Sequence, residues 1–208
     1  MKSFNWLLVL SVLSCFGCSS PVHEDDRGCA FVSDSIQYRV EFMSAGCVRI
    51  LSFPEGDTLV TKRLVVDSEK PAFKDYKWED TGQKLLFRTR ELSVVFDKAD
   101  AAFIFQETST GKLLLKEKGD RKARNFKRSV AGGEQCLEVT QRFVPTEDEA
   151  IYGLGQYQNG IMNYRGKSVL LLQANMDIVN PFLISTNGYG VLWDNYSSTK
   201  FEDTKEGY

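Results

Sequence analysis

The chemistry open to this chain is narrow. His23 is the only histidine in 208 residues, which removes Ser-His-Asp and Cys-His nucleophile systems. Cys29, Cys47 and Cys136 follow no metal-ligand spacing and admit at most one disulfide, so they read as buried small hydrophobes. No metal site and no cofactor are expected. Carboxylates and aromatic rings are left. Trp193-Asp194-Asn195 offers an acidic side chain beside an aromatic one, but it follows a hairpin strand whose alternation turns Val191 and Trp193 inward, so a core reading accounts for it. Tyr152, Tyr157, Tyr164 and Tyr189 could stack on the apolar C–H face of a cyclic polyol, although aromatic residues at this density are more often core and hairpin packing. Tyr157 and Tyr164, within the polar run 156–166, are the better stacking candidates. Asn175 and Asp177, one residue apart, have an ordinary reading as a turn held by side-chain to backbone bonds.

Three short segments must position these groups. Tyr152-Gly-Leu-Gly155 allows positive φ or close approach of another backbone, and it lacks the third glycine, helix start and following acid of a phosphate cradle. Asn180-Pro181 starts an extended segment. Asn187-Gly188 between two apolar-aromatic runs is a strong hairpin signal.

Upstream, the hydrophobic period is two. Ile36, Tyr38, Val40 and Phe42 alternate with polar residues, as a half-buried strand does. Cys47–Phe53 follows and is closed by the turn Pro54-Glu-Gly-Asp57. Leu64–Val66 is a short apolar run. Strands are predicted over Lys84–Arg90, over Leu92–Phe96 and over Ala102–Gln106, the last turning through Thr108–Lys112 into Leu113–Leu115. Gly132-Gly133 precedes Gln135–Phe143, where Leu137, Val139 and Phe143 are expected to share a face. No segment before Thr146 keeps a capped helical period, so the fold class is all-β, an antiparallel β-sandwich of two packed sheets.

Composition sets further bounds. Hydrophobic residues make up 42%, charged residues 26% and the formal net charge is −2, enough apolar material for one sizeable core and no basic stripe for nucleic acid. The cluster Lys116–Arg128 is offset by Glu117 and Asp120 and reads as a solvated loop. Residues 1–17 read as a lipoprotein signal peptide: Lys2, then the apolar run Trp6–Leu13, too short to span a bilayer, then small residues. Cys18 is the expected lipidated residue and Cys15 the alternative; an ordinary secretory signal fits the same run. Two acyl chains would suffice to hold the protein on a membrane. Residues 18–30 form a polar tether and 31–208 the sandwich domain. The expected location is the outer membrane or cell surface, with a periplasm-facing lipoprotein as the alternative.

The set Glu149, Tyr152–Gln156, Asn175/Asp177, Pro181-Phe182 and Gly188–Val191, in this order, resembles the end of the N-terminal domain of glycoside hydrolase family 31, the family of α-glucosidases and α-xylosidases. Gln156 and the run Gly-Gln-x-Gln-Asn-Gly-x-Met-Asn-Tyr resemble the α-xylosidase side. The resemblance implies a galactose-mutarotase-like sandwich over roughly residues 36–203. It also implies a catalytic (β/α)₈ barrel, normally in the same polypeptide, that holds the two aspartates of a retaining mechanism. Thirteen residues follow Asn195, where a barrel takes about 250, so the expectation is a domain without its barrel, inactive alone, with no catalytic residue of its own. By the same resemblance, Asn175 and Asp177 reach over the barrel mouth and contact sugar, the carboxylate accepting two hydroxyls. The usual aromatic before the Asn is replaced here by Gln173-Ala174. Gly153, Gly155, Pro181 and Phe182 are then the expected barrel interface, and the implied partner is an oligosaccharide or xyloglucan-type glycan. A free-standing surface glycan-binding lipoprotein is the alternative.

Overall fold

The computed structural model describes residues 21–57, 65, 72–121 and 124–204. Those residues hold antiparallel strands and no helix. Strands β1 (His23–Glu24), β2 (Cys29–Ser33), β3 (Ile36–Ser44) and β4 (Cys47–Pro54) form one sheet in sequence order. A five-stranded meander follows: β5 (Lys77–Asp80), β6 (Lys84–Arg88), β7 (Leu92–Asp97), β8 (Ala102–Glu107) and β9 (Leu113–Lys116). Strands β10 (Arg124–Ala131) and β11 (Glu134–Gln141) pair only with each other. The last third supplies β12 (Ile151–Gln156), β13 (Ser168–Leu171), β14 (Ile178–Ser185), β15 (Tyr189–Leu192) and β16 (Thr199–Glu202). Here β14 lies between β12 and β15, while β13 pairs with β16.

The first two sheets face each other as the period-two pattern requires. Tyr38, Val40 and Phe42 of β3 point inward with Phe31 of β2, against Leu85, Phe87, Val94, Phe96 and Phe103 of the meander. Phe96 sits at the centre, its ring centroid 4.8 Å from Phe31, 5.0 Å from Tyr38 and 4.9 Å from Phe103. Tilted ring pairs of this kind add about 0.5–1.5 kcal/mol each beyond the burial of area. Strand β7 is buried on both faces, since Ser93 and Val95 are covered as well.

A second, smaller core collects Leu115, Phe143, Ile151, Leu154, Tyr164, Leu171, Leu183 and Phe201. Phe105 packs against both cores.

A buried ion pair stands where the ribbon of β10 and β11 leaves the meander. Glu117 is fully buried and accepts from the Arg124 guanidinium, from Gln141 Nε2 (2.8 Å) and, through its other oxygen, from the Phe103 amide (2.9 Å). Arg124 also donates to Ser52 Oγ (2.7 Å) and lies over the rings of Tyr38 and Phe103. The ion pair therefore has its hydrogen-bonding capacity taken up, the condition under which a buried charge is tolerated.

The structure departs from the sequence reading in four places. The stretch expected to be tether up to residue 30 is already folded from β1 onward: Glu24 accepts from Trp78 Nε1 (2.8 Å) and Tyr76 (3.0 Å), and Asp25 pairs with Arg39. Of Cys29, Cys47 and Cys136, the cysteines among the described residues, only Cys29 is buried, its thiol pushed up to about 11 by burial. Cys47 opens β4 beside a turn and Cys136 lies on the open ribbon, so both are exposed. Leu137 and Val139 are exposed although Phe143 is buried, because the chain leaves the ribbon after Gln141 and Phe143 bridges to Glu117. The basic run 116–128 is not a solvated loop: Lys116 ends β9, β10 begins at Arg124, and Glu117 and Arg124 are buried. Of the apolar run 64–66, residues 64 and 66 lie outside the described residues.

Candidate functional site

The glycine motif is a β-bulge. The pairing of β12 with β14 shifts register between Gly153 and Gly155, and Leu154 between them is fully buried with φ of 64°. A Cβ on Gly153 (φ 101°) would stand 2.5 Å from the Phe182 carbonyl oxygen, and one on Gly155 (φ 115°) 2.1 Å from that of Ile178. Both the positive φ and the contact demand glycine. The close approach expected from the sequence is thus made to the domain's own β14.

Glu149, quoted above only as part of a motif, has a structural task. One carboxylate oxygen accepts from Ser185 Oγ and the Tyr189 hydroxyl, the other from the Thr146 amide (2.9 Å) and hydroxyl (3.3 Å). The carboxylate therefore ties the entry to β12 to both sides of the β14–β15 hairpin. Asn187 in the turn donates to the carbonyls of Leu113 (3.1 Å) and Leu114 (2.7 Å), docking that hairpin on β9.

Asn175 and Asp177 stand in a tight turn, Ala174–Asp177, closed by the Asp177 amide to the Ala174 carbonyl (3.2 Å) with Met176 at φ 71°. The side chain that stabilises the turn is Gln173, which donates to the Asp177 carbonyl (2.8 Å) and accepts from the Val179 amide (3.1 Å). That leaves Asn175 exposed and the Asp177 carboxylate half-buried at the tip. Tyr157 is half-buried close by, donating to the Leu154 carbonyl (3.1 Å). Its hydroxyl is held above the usual phenol range by burial, then by neighbouring Tyr164 and the Asp177 carboxylate. Tyr164 is a correction. It is 3% exposed and edge-on to Phe201 at 6.2 Å, so neither ring face is open to a ligand. Its amide donates to the Ile151 carbonyl (2.8 Å), while Asn163 takes the amides of Ile151 and Arg165, and together they fold the polar loop inward at that ring.

On the other side of Gln173 a groove of about 650 Å³ runs between β14 and residues 192–199. Pro181 and Phe182 line it. The Pro181 carbonyl accepts from the Trp193 amide (2.9 Å), and the Phe182 ring covers Gly190, where a Cβ would come within 2.8 Å of it. Asp194 is held from two sides, by Arg49 of β4 (3.2 Å) and by the Tyr196 hydroxyl (3.0 Å). The expected inward packing of Trp193 is seen too: it lies 6.3 Å from Phe143 and donates to Gln141 Oε1 (3.2 Å). Arg49 could not have been assigned to this site from sequence, since 145 positions separate it from Asp194. Tyr196 carried one overlooked signal, an aromatic residue in a run of Asn and Ser.

Among the described residues no group of three His, Cys, Asp or Glu side chains could hold a metal. The outer face of the β12–β14–β15 sheet is apolar: Tyr152, Ile178, Ile184 and Leu192 are each between 38% and 57% exposed.

A model of the glycosyl hydrolase 31 N-terminal galactose mutarotase-like domain matches residues 37–202. The chain belongs to this domain family. The α-xylosidase of Saccharolobus solfataricus is 34% identical over 178 residues, which are 78% of this chain and 23% of that protein. The GH31 α-xylosidase of Xanthomonas citri superposes with a TM-score of 0.74 at 31% identity, over 86% of this chain and 19% of that one. A GH31 α-xylosidase from a soil metagenome, solved with xylose, has the same fold, with a TM-score of 0.74 at 24% identity over 90% of this chain and 30% of that one. The GH31 domain described here thus spans less than a third of the length of each of these relatives.

Proposed function

We propose that this chain is the glycan-facing N-terminal domain of an exported α-glycosidase acting on α-xylosyl or α-glucosyl groups, whose acid/base and nucleophile belong to a barrel outside it. The observation that carries this reading is the outer face of β12–β14–β15. A sheet with one side in a core and the other side apolar and open calls for a partner, and a patch of this sort marks an interaction surface. The barrel is that partner. On this reading the turn bearing Asn175 and Asp177, with Tyr157 behind it, forms part of the sugar cleft's rim, and Gly153 and Gly155 act indirectly by fixing the shape of β14. Anchorage through Cys18 would place the enzyme at the outer membrane or cell surface.

Two measurements test the proposal. The purified chain alone should leave aryl α-xyloside and α-glucoside intact, and turnover comparable to an intact glycosidase would sink the reading. Labelling cells with a fatty-acid probe should mark the wild type and not Cys18→Ser; equal labelling of both would remove Cys18 as the anchor.

A further inference from the structure

We propose that the groove along β5 and β6 is a ligand site for a sugar acid, a saccharide unit that carries a carboxylate. It belongs to the five-stranded meander and not to the β12–β14–β15 face, and every residue lining it is among the described residues. Taking the carrier to be a sugar rests on the glycan-facing reading above; the preference for a carboxylate does not.

Charge placement comes first. Lys77 of β5 stands directly opposite Arg88 of β6 in the antiparallel register, so both side chains leave the same face of the sheet. Trp78, the next residue along, packs on the first core, which puts Lys77 and Arg88 on the outer face. Like charges at such a position oppose strand pairing. Both are exposed, and neither forms an ion pair among the described residues. Arg90 adds no free charge, because Glu91 takes it at 3.0 Å. Two unanswered cations held face to face break a local rule of sheet pairing, and such breaks collect at functional sites.

The rest of the lining selects the kind of anion. Asp75 and Glu79 also border the groove, unpaired among the described residues, so two acids match the two cations in number. A bare inorganic anion, or the phosphate surface of a membrane, gains from the cations and loses to the acids. A sugar acid meets both: its carboxylate accepts from Lys77 and the Arg88 guanidinium, and its hydroxyls donate to Asp75 and Glu79. Leu86 and the rings of Tyr76 and Trp78 supply apolar wall for the C–H face of a pyranose. At about 540 Å³ the groove is of small-molecule size.

Its walls are fixed before a ligand arrives. Glu24 accepts from the Tyr76 hydroxyl (3.0 Å) and from Trp78 Nε1 (2.8 Å). At the end of β6 the buried Thr89 hydroxyl donates to the Ala45 carbonyl (2.5 Å) and accepts from the Leu92 amide (2.9 Å), which sets the turn after Arg88. Preorganisation of this kind lowers the cost of binding.

Titration calorimetry of the 208-residue chain with trigalacturonic acid at low ionic strength tests this. Saturable binding is expected, weakened at least about tenfold in Arg88→Gln and for the fully methyl-esterified trisaccharide. Arg88 is exposed and the substitution removes a like-charge contact, so that variant should keep the wild-type circular dichroism and melt no lower. Absence of saturable heat, equal affinity for acid and ester, or unchanged affinity in Arg88→Gln would each overturn the site. Arg88-dependent sedimentation with phosphatidylglycerol vesicles, without trigalacturonate binding, would assign the face to a membrane and overturn the sugar acid. Binding lost in Asn175→Ala but kept in Arg88→Gln would place the ligand on the turn, overturning the groove while leaving the proposed function standing.

Discussion

The two cores of this domain are built to different standards. The first is closed: two sheets of four and five strands enclose a ring cluster centred on Phe96, and β7 is covered on both faces. The second is closed on one side only. Leu154, Leu183 and Ile151 are fully buried, yet Ile184, one residue from Leu183, is half exposed. The part that carries the general sandwich covers both faces of its central strand, whereas the part that carries the candidate site leaves the outer face of β14 open.

Substitutions can break or sharpen that contrast. The largest effect is expected for Phe96→Ala, about 3–5 kcal/mol from lost burial and the cavity left behind, read as a fall in the urea midpoint by circular dichroism. Glu117→Ala should cost about 3 kcal/mol or more by stranding the Arg124 charge, and Glu117→Gln less, since the amide oxygen still accepts one bond. Gly155→Ala should cost about 2 kcal/mol, from its positive φ and the Ile178 carbonyl in the way. In hydrogen exchange the loss should appear in β12 and β14 and spare β3 and β7; loss spread evenly over all four would merge the two regions into one. Ile184→Ser should change the stability of the chain by less than about 0.5 kcal/mol, because its side chain meets solvent. A drop as large as that of Phe96→Ala would mean the outer face is already covered.

The smallest effect is one of pH. The hydrogen bond from Lys98 holds the Asp80 carboxyl below the ordinary carboxylate range, helped by the Gly82 amide and opposed by partial desolvation. A lowered folded pKa stabilises above about pH 4 and loses that contribution as the pH falls through the folded value. Water screens this exposed pair, so the loss between pH 5 and pH 3 should stay below about 1 kcal/mol. Asp80→Asn should flatten that part of the pH profile, and an unchanged slope would reject the assignment.

Local patterns were legible where one strand and its turn decide the outcome. Alternation placed Tyr38, Val40 and Phe42 inside, and Asn187-Gly188 marked the β14–β15 hairpin, where Gly188 has φ of 96°. Patterns failed where distant segments decide. Tyr164 reads as an open loop residue until Asn163 and Phe201 enclose it, and Leu137 and Val139 alternate correctly yet sit on a ribbon with nothing above them. Gly153 and Gly155 were recognised as close-contact positions, but the strand they touch is set by a register shift that no short window contains. The Gln173 brace, the Glu149 clasp and the Arg49–Asp194 pair belong to the same class, since each needs the folded chain to bring its partners together.

Phe105 has a consequence for how such a sequence can drift. Its side chain belongs to both cores at once, so a change of bulk there must be accommodated on two fronts. Neighbouring positions in one half therefore inherit restrictions from the other, and the two halves of the chain cannot diverge independently of each other.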